Sequence, residues 1–466
     1  MDYTRYSHIF MIGIGGIGMS ALARYFHHSG IPVSGYDRTR THLTSELEQE
    51  GIPVIYSDTP GAIDPIFKNP DTALIIFTPA IKADNQILRY FTEKGFKISK
   101  RAEILGEIAS RYKTIAVSGT HGKTSTSTAI AHLLNQSVVG CTALLGGISK
   151  NYKTNFLFSR TSELMVTEAD EFDRSFLNLK PYMAVITAVD ADHLDIYGTA
   201  NELVRAYDDF AGQIDPEGIL LVKIGLPLNL SKIPVERIYS YSFDDLNADI
   251  YARHIEVDEH KMQFDLVTPD GTIDELTMKP TGIVNIENAV AASFLALQAG
   301  LSEAEIRSGL TTFEGVRRRF DLQFNNGMIV YIDDYAHHPE EINALIRSVK
   351  SVFPFKKITG IFQPHLYSRT RDFADGFADS LSQLDEVILT DIYPAREKPI
   401  EGVSSTMIFN KIGHHHKSLM QKEQVPYYLL HHDFEVVLTI GAGDIDTLVE
   451  PMLEMINRKT SKQELP

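Results

Sequence analysis

Two glycine-rich stretches about a hundred residues apart could each cradle an anion, because glycines let the backbone approach a phosphate closely. In "HIFMIGIGGIGMSALARYF", residues Gly13, Gly15, Gly16 and Gly18 satisfy GxGxxG between an apolar run and a helical pattern. Such a turn delivers a diphosphate to the N-terminus of a helix, where unpaired N–H groups and the positive dipole end await it. Gly13, Gly15, Gly16, Ile17 and Gly18 are therefore anion-binding candidates. Asp37, at the end of the next strand, is placed to accept from a ribose hydroxyl. Taken alone, this fingerprint suggests an NAD-dependent dehydrogenase.

The second stretch, "VSGTHGKTSTSTAIAHLL", points elsewhere. A full Walker loop, GxxxxGK[ST], needs glycine where Val117 stands, so the match is the shortened Gly119-Thr120-His121-Gly122-Lys123-Thr124. The chemistry remains that of a phosphate loop: backbone N–H groups wrap the terminal phosphates, Lys123 neutralises β/γ charge, and the Thr124 or Ser125 hydroxyl reaches Mg²⁺. Two cradles in one chain imply one nucleotide that is bound and a second that is spent. Glu168, in "LMVTEADEFD", follows an apolar run and stands at a strand end where a Mg²⁺ ligand is useful. Arg317, Arg318 and Arg319 stand together at an expected domain boundary and are phosphate-contact candidates in an otherwise acidic chain.

The elements that must position these residues show the βαβ rhythm of parallel sheets. A first block carries "HIFMIGI", "IPVSGYD", "IPVIYS" and "TALIIFTPA"; a second runs from "TIAVSG" through "LMVTEADEFD" and "MAVITAVDADHLD". Alternating polar and apolar residues at 235–280 predict more antiparallel character there. A third block, from near Arg318, repeats the rhythm in "MIVYIDDYA", "KITGIFQPH", "EVILTDIYPA" and "FEVVLTIGAGD", and the tail "NRKTSKQELP" reads as frayed.

With 466 residues, 43% hydrophobic and 23% charged, the chain has the composition of a globular protein of two or three domains. The net charge of −17 argues against nucleic-acid or anionic-membrane binding. No apolar run reaches the ~18 residues of a membrane span, and no leader is evident, so a cytoplasmic location without membrane insertion is expected. The lone Cys141 fits a reducing compartment.

"GTHGKTS", "TEADEFD", "DADHLDIYG", "GVRRRFD" and "DDYAHHPEE" occur in the order seen in Mur ligases, and the chain resembles that family from about residue 8 to about residue 445. With "RAEIL" and "FQPHLYSRTRDF", it is most similar to the members that attach L-alanine to UDP-N-acetylmuramate. The resemblance implies an α/β protein of bacterial peptidoglycan precursor synthesis with three domains. These are a Rossmann-like UDP-sugar domain at 1–111, a P-loop-type central ATPase domain at 112–317, and a Rossmann-like amino-acid domain at 318–466. It also implies ATP and Mg²⁺, with Mn²⁺ as a substitute, and a monomer or homodimer. The glycines of the first turn and Asp37 would hold the UDP-sugar, and Gly119 to Ser125 with Asn288, Arg319 and Asp334 would hold ATP. Thr124, Glu168 and His193 would bind metal, while Tyr335, His337 and Arg369 would form the amino-acid pocket. Lys123, His193, His337 and Arg369 would be catalytic.

Two positions depart from the family pattern. Val284 stands where a histidine is usual, and Leu366 where a second arginine is usual, its contact left to His365 or Arg371. His338 is expected to cap a helix, and His414 to His416, His431 and His432 to lie on exposed loops. Three rivals stand beside the L-alanine ligase. A sister ligase would add a recycled tripeptide, a dehydrogenase would leave Lys123, Glu168 and His193 idle, and a regulator would bind ATP without releasing phosphate.

Overall fold

A computed structural model describes residues 3–190, 194–395 and 397–463. Among these residues the strands form three sheets. The first is parallel throughout, in the order Val54–Ile55, Val33–Tyr36, His8–Ile12, Ala73–Phe77, Lys97–Lys100. Its central strands, His8–Ile12 and Ala73–Phe77, are apolar and buried on both faces, as in parallel sheets, whereas the edge strand Lys97–Lys100 is largely exposed. The strand order reverses beside His8–Ile12, whose C-terminal end opens into the first glycine turn and the helix Ile17–His28. In open α/β sheets ligands bind at such a reversal.

The central sheet repeats this arrangement at larger scale. Lys113–Ser118 lies between Met183–Ile186 and Leu164–Ala169, both parallel to it, and leads into the phosphate loop and the helix Lys123–Asn135. Glu168 therefore sits at the C-terminal end of one neighbouring strand, and Thr187 just beyond the end of the other. Further out, Arg237–Ser242 pairs in parallel with Ile219–Lys223 on one side and Ile250–Val257 on the other, so parallel pairing reaches further than expected. Beyond it, Ile250–Val257, Met262–Thr268 and Gly271–Met278 are successive neighbours joined by four and two residues, connections that only antiparallel strands allow, in keeping with the alternation at 235–280.

The third sheet runs Asp321–Asn325, Val330–Asp334, Val436–Ile440, Ile358–Phe362, Glu386–Leu389, Lys417–Leu419, antiparallel only at the first pair. The C-terminal segment is more ordered than expected. The helix Val449–Gln463 takes in "NRKTSKQ", and the Thr460 and Ser461 hydroxyls bond back to carbonyls of Ile456 and Asn457. Buried Met452, Met455 and Ile456 give it an apolar stripe against Leu429 and Phe434, so tertiary packing outweighs the polar composition of its end.

The chain divides into two compact units. One contains residues 1–254, 264–276 and 287–313, and the other 255–263, 277–286 and 314–466. Within the first unit, the N-terminal and central sheets share a core in which Tyr25 and Phe26 belong to the same cluster as Leu144 and Phe156. Arg24, 2% exposed, bonds to the buried Asn155 and pairs with Glu50 at 2.6 Å, and Asn155 donates in turn to the Ile17 carbonyl at 2.6 Å.

Candidate active site

In the first unit the phosphate loop is fixed from beneath. The Thr187 hydroxyl bonds to the carbonyls of Ser118, at 3.1 Å, and His121. Gly119 has φ +135°, and a Cβ there would lie 2.1 Å from the same hydroxyl, so only glycine lets the loop close on its brace. Thr120 and Asp190 hold each other through two contacts, at 3.2 and 3.1 Å. Gly122 caps the following helix in the left-handed region, and Lys123, Thr124 and Ser125 form its first turn. Asn288 faces the loop from the helix Val284–Gln298, its Oδ1 accepting from the Thr126 hydroxyl at 3.1 Å.

Lys123 is held internally. Its Nζ donates to the Gly119 carbonyl at 2.5 Å and to both carboxylate oxygens of Glu171, at 2.9 and 2.8 Å. Burial acts to lower its pKa, but the charges of Glu171 and Asp170 outweigh burial and leave it raised. Burial has the larger effect on Glu168 and raises its pKa against the pull of Lys123 and of a hydrogen bond from Thr124. The Gly146 N–H donates to Glu168 at 2.9 Å, and a Cβ on Gly146 would lie 2.3 Å from either carboxylate oxygen.

The first glycine turn is braced by Asp37, which accepts from the Gly15 N–H at 2.9 Å and from the Thr39 N–H at 3.2 Å. One carboxylate oxygen thus serves the glycine turn and the other the turn that follows Asp37. Arg101 lies against Gly18 and reaches Asp170 at 3.5 Å. Gly16, Ile17 and Gly18 line a cleft of about 270 Å³ together with Arg101, Gly146, Glu168 and Asp170, so the first turn and the acidic motif open into one space.

The second unit assembles its own cluster. Asp333 and Asp334, at the end of Val330–Asp334, are buried, and burial raises both to about 6. Asp333 takes Arg318 at 3.2 Å and the Thr439 hydroxyl at 2.6 Å. Asp334 takes the N–H groups of Phe320 at 2.6 Å and Ala336 at 2.8 Å. Arg319 lies 5.1 Å over the Tyr335 ring. The His337 ring stands 5.2 Å from that of Tyr335 and 6.1 Å from that of His365.

Burial lowers His337 against the opposing charge of Glu341, and lowers His365 to about 4. Arg369 acts electrostatically on both histidines, and among the described residues no carboxylate pairs with it. Of the two substitutes for the missing arginine, Arg371 is paired with its neighbour Asp372 at 2.7 Å, whereas His365 faces the cluster stacked on Tyr393. Leu366 holds φ +69° at the start of the helix Tyr367–Asp372.

The candidates therefore fall into two groups. The first unit holds the glycine turn, the phosphate loop, Thr124, Glu168 and Asn288; the second holds Arg319, Asp334, Tyr335, His337 and Arg369. His193 lies outside the described residues. His338 is the N-cap of the helix Pro339–Val352, its backbone N–H donating to the Glu341 carboxylate at 3.2 Å. His415, His416, His431 and His432 are exposed and His414 is half-buried. Arg101, Glu171 and Thr187 were missed as site residues, although "RAEIL" and "EADEFD" drew notice; the partner of each lies in a distant segment.

Three family models match along the chain: "Mur ligase family, catalytic domain" at residues 8–113, "Mur ligase middle domain" at 117–296, and "Mur ligase, glutamate ligase domain" at 318–443. The chain is 48% identical over 462 residues to the UDP-N-acetylmuramate--L-alanine ligase of Parabacteroides distasonis, covering 99% of this chain and 100% of that protein. It is 47% identical to the enzyme of the same name from Phocaeicola vulgatus, covering 98% and 100%. Among solved structures, a UDP-N-acetylmuramate-alanine ligase from Thermotoga maritima superposes with a TM-score of 0.82 at 27% identity, covering 97% of this chain and 99% of that one. A murein peptide ligase from Psychrobacter arcticus shares the fold, with a TM-score of 0.69 at 21% identity over 97% of this chain and 98% of that one.

Proposed function

This chain belongs to the Mur ligase family, and we infer that it joins L-alanine to the carboxylate of UDP-N-acetylmuramate, converting ATP to ADP and phosphate. The product is UDP-N-acetylmuramoyl-L-alanine, a peptidoglycan precursor. One observation carries the reading in this molecule: the diphosphate-class turn at Gly16–Gly18 and the carboxylates Glu168 and Asp170 line a single cleft. A sugar nucleotide anchored there is brought to the acidic motif beside the phosphate loop. We assign the three sheets to domains at 1–111, 112–317 and 318–466. We place this reaction in the cytoplasm; among the described residues no helix is long and apolar enough to cross a membrane.

A carboxylate does not condense with an amine directly, because hydroxide leaves poorly. The muramate carboxylate oxygen attacks the γ-phosphorus, the bond to the β-bridging oxygen breaks, and ADP departs. The alanine amine then attacks the acyl phosphate, and phosphate leaves with the C–O electron pair. Lys123 balances β/γ charge, and Arg101 and the first glycine turn steady the UDP diphosphate. Arg319, Asp334 and Asn288 would hold the remainder of ATP. His337 donates from Nδ1 to the Tyr335 carbonyl at 3.0 Å, which leaves Nε2 as an acceptor for an ammonium proton. Arg369 would take the alanine carboxylate, with Tyr335 as a wall. Water must be kept from the acyl phosphate, which would otherwise hydrolyse.

Thr124 and Glu168 are hard oxygen donors already hydrogen-bonded to one another, a donor set that fits Mg²⁺ or Mn²⁺, with His193 as a further ligand. The bound ion would offset phosphate charge. Because Gly146 leaves no room beside Glu168, Gly146→Ala is expected to lower kcat by about 10–100-fold and to raise the Mg²⁺ concentration required. An unchanged Mg²⁺ dependence, read from phosphate release, would remove Glu168 from the ligand set.

Phosphate release from ATP and Mg²⁺ tests the function as a whole. We expect release with UDP-N-acetylmuramate only when L-alanine is also present, with glycine and L-serine set beside it as comparisons. Release with the recycled tripeptide alone would move the chain to the sister activity. ATP binding without release under any combination would favour a regulator.

A further inference from the structure

We propose that Glu171 is a counter-ion that pairs with Lys123 in the phosphate loop and is displaced by incoming nucleotide, which makes it a positioning residue that sets nucleotide affinity. The proposal rests on the reading that residues 119–125 take ATP. An ammonium group has three N–H donors. Those of Lys123 are all engaged, one by the Gly119 carbonyl at 2.5 Å and the others by the two oxygens of Glu171 at 2.9 and 2.8 Å. A β- or γ-phosphate can reach the ammonium only by removing one of these partners. The carboxylate is the one it repels.

Glu171 is built for this position. Its side chain is 1% exposed, and the Tyr197 hydroxyl donates to its backbone carbonyl at 2.6 Å. The next turn begins with Asp173 and Arg174 in left-handed conformations, φ +53° and +54°, so the chain doubles back directly after Glu171. Asp170 and Glu168 also face Lys123 electrostatically, but neither hydrogen-bonds to it. With Lys123 held in the self-paired state, apparent nucleotide affinity is lowered by the fraction of molecules in which the ammonium is free.

The test is calorimetric titration of the full chain and its Glu171→Gln variant with ATP–Mg²⁺, ADP–Mg²⁺ and AMP. Glutamine keeps the shape and removes the charge. We expect the variant to bind ATP and ADP about tenfold more tightly, with a matching fall in the KM for ATP and no rise in kcat. AMP carries no β- or γ-phosphate for Lys123 and should bind both proteins alike. ATP and ADP affinities that are unchanged or weaker in the variant overturn the proposal, as does an equal shift for all three nucleotides. Should the variant fail to fold, a crystal structure of the unaltered chain with ADP–Mg²⁺ decides: Lys123 and Glu171 separated beyond the ion-pair range of about 4 Å supports displacement, and a retained contact refutes it. Failure of the unaltered chain to bind ATP at all would instead sink the assignment of the loop.

Discussion

Lys123→Met is expected to lower ligase activity by about 10²–10³-fold while UDP-N-acetylmuramate still binds. The substitution withdraws the charge that faces the β/γ-phosphates, and a single preorganised electrostatic contact commonly supplies about 10²–10³ in rate. On the proposed reading the sugar nucleotide is held by the glycine turn of a different sheet, whose brace, Asp37 on Gly15, does not involve Lys123. The same substitution strands a second group. Glu171 loses its counter-charge at 1% exposure, and an uncompensated buried charge costs about 3–5 kcal/mol. The variant should therefore also melt at lower temperature. Adding Glu171→Gln should restore most of the melting temperature and none of the turnover, a split that scanning calorimetry and phosphate release measure side by side. Loss of UDP-sugar binding together with turnover would mean that the two anion sites are wrongly assigned.

The second large effect falls on the amino acid. Arg369→Ala should raise the KM for L-alanine by about 100-fold, with a much smaller change in the KM for ATP. A hydrogen bond to a charged group contributes about 1.5–3 kcal/mol, and each 1.4 kcal/mol is tenfold. Leu366 leaves this pocket without the second arginine, and the His365 imidazole that faces it titrates at about 4 and so stays neutral near neutral pH. On the proposed reading Arg369 carries the carboxylate alone, and lysine, a point charge without the planar fork, should rescue only partly. His365 supplies an independent readout.

Burial, then His337, then Arg369 hold its pKa down. Removing the guanidinium should move its NMR titration upward. The sign for stability follows from linkage: a depressed histidine costs stability as the pH falls below its unfolded value of about 6.5 toward its folded one, so the variant should tolerate acid better. An unaltered KM for alanine would show that another group binds the carboxylate.

Much of this site could be read from the linear chain because its chemistry is local. A glycine turn, a lysine at the start of a helix and a carboxylate at a strand end each sit within a few residues of the element that aims them. The three α/β blocks were legible for a similar reason, since strands buried on both faces read as continuous apolar runs. What stayed hidden was the choice of partner. Asp37 reads as a ribose acceptor, and the sequence does not show that one of its oxygens also braces the Gly15 N–H. The link from Lys123 to Glu171 spans 48 residues and that from Arg24 to Asn155 spans 131. No spacing rule connects such positions; the fold brings them together. The final helix escaped because its polar end is secured by packing further back, at Met452 and Ile456.

The core shared by the N-terminal and central sheets bears on how this protein can be recombined. The three matched sequence segments invite the view that each is an interchangeable module. Tyr25, Phe26, Leu144 and Phe156 belong to one cluster, with the Arg24–Asn155 contact beside it, so a chimera joined near residue 112 would set an apolar face and a buried guanidinium against an unrelated surface. Transplanting the sugar-nucleotide sheet between relatives therefore requires carrying the facing strands Thr142–Ser149 and Thr154–Leu157 along with it. The heritable unit is the pair of sheets.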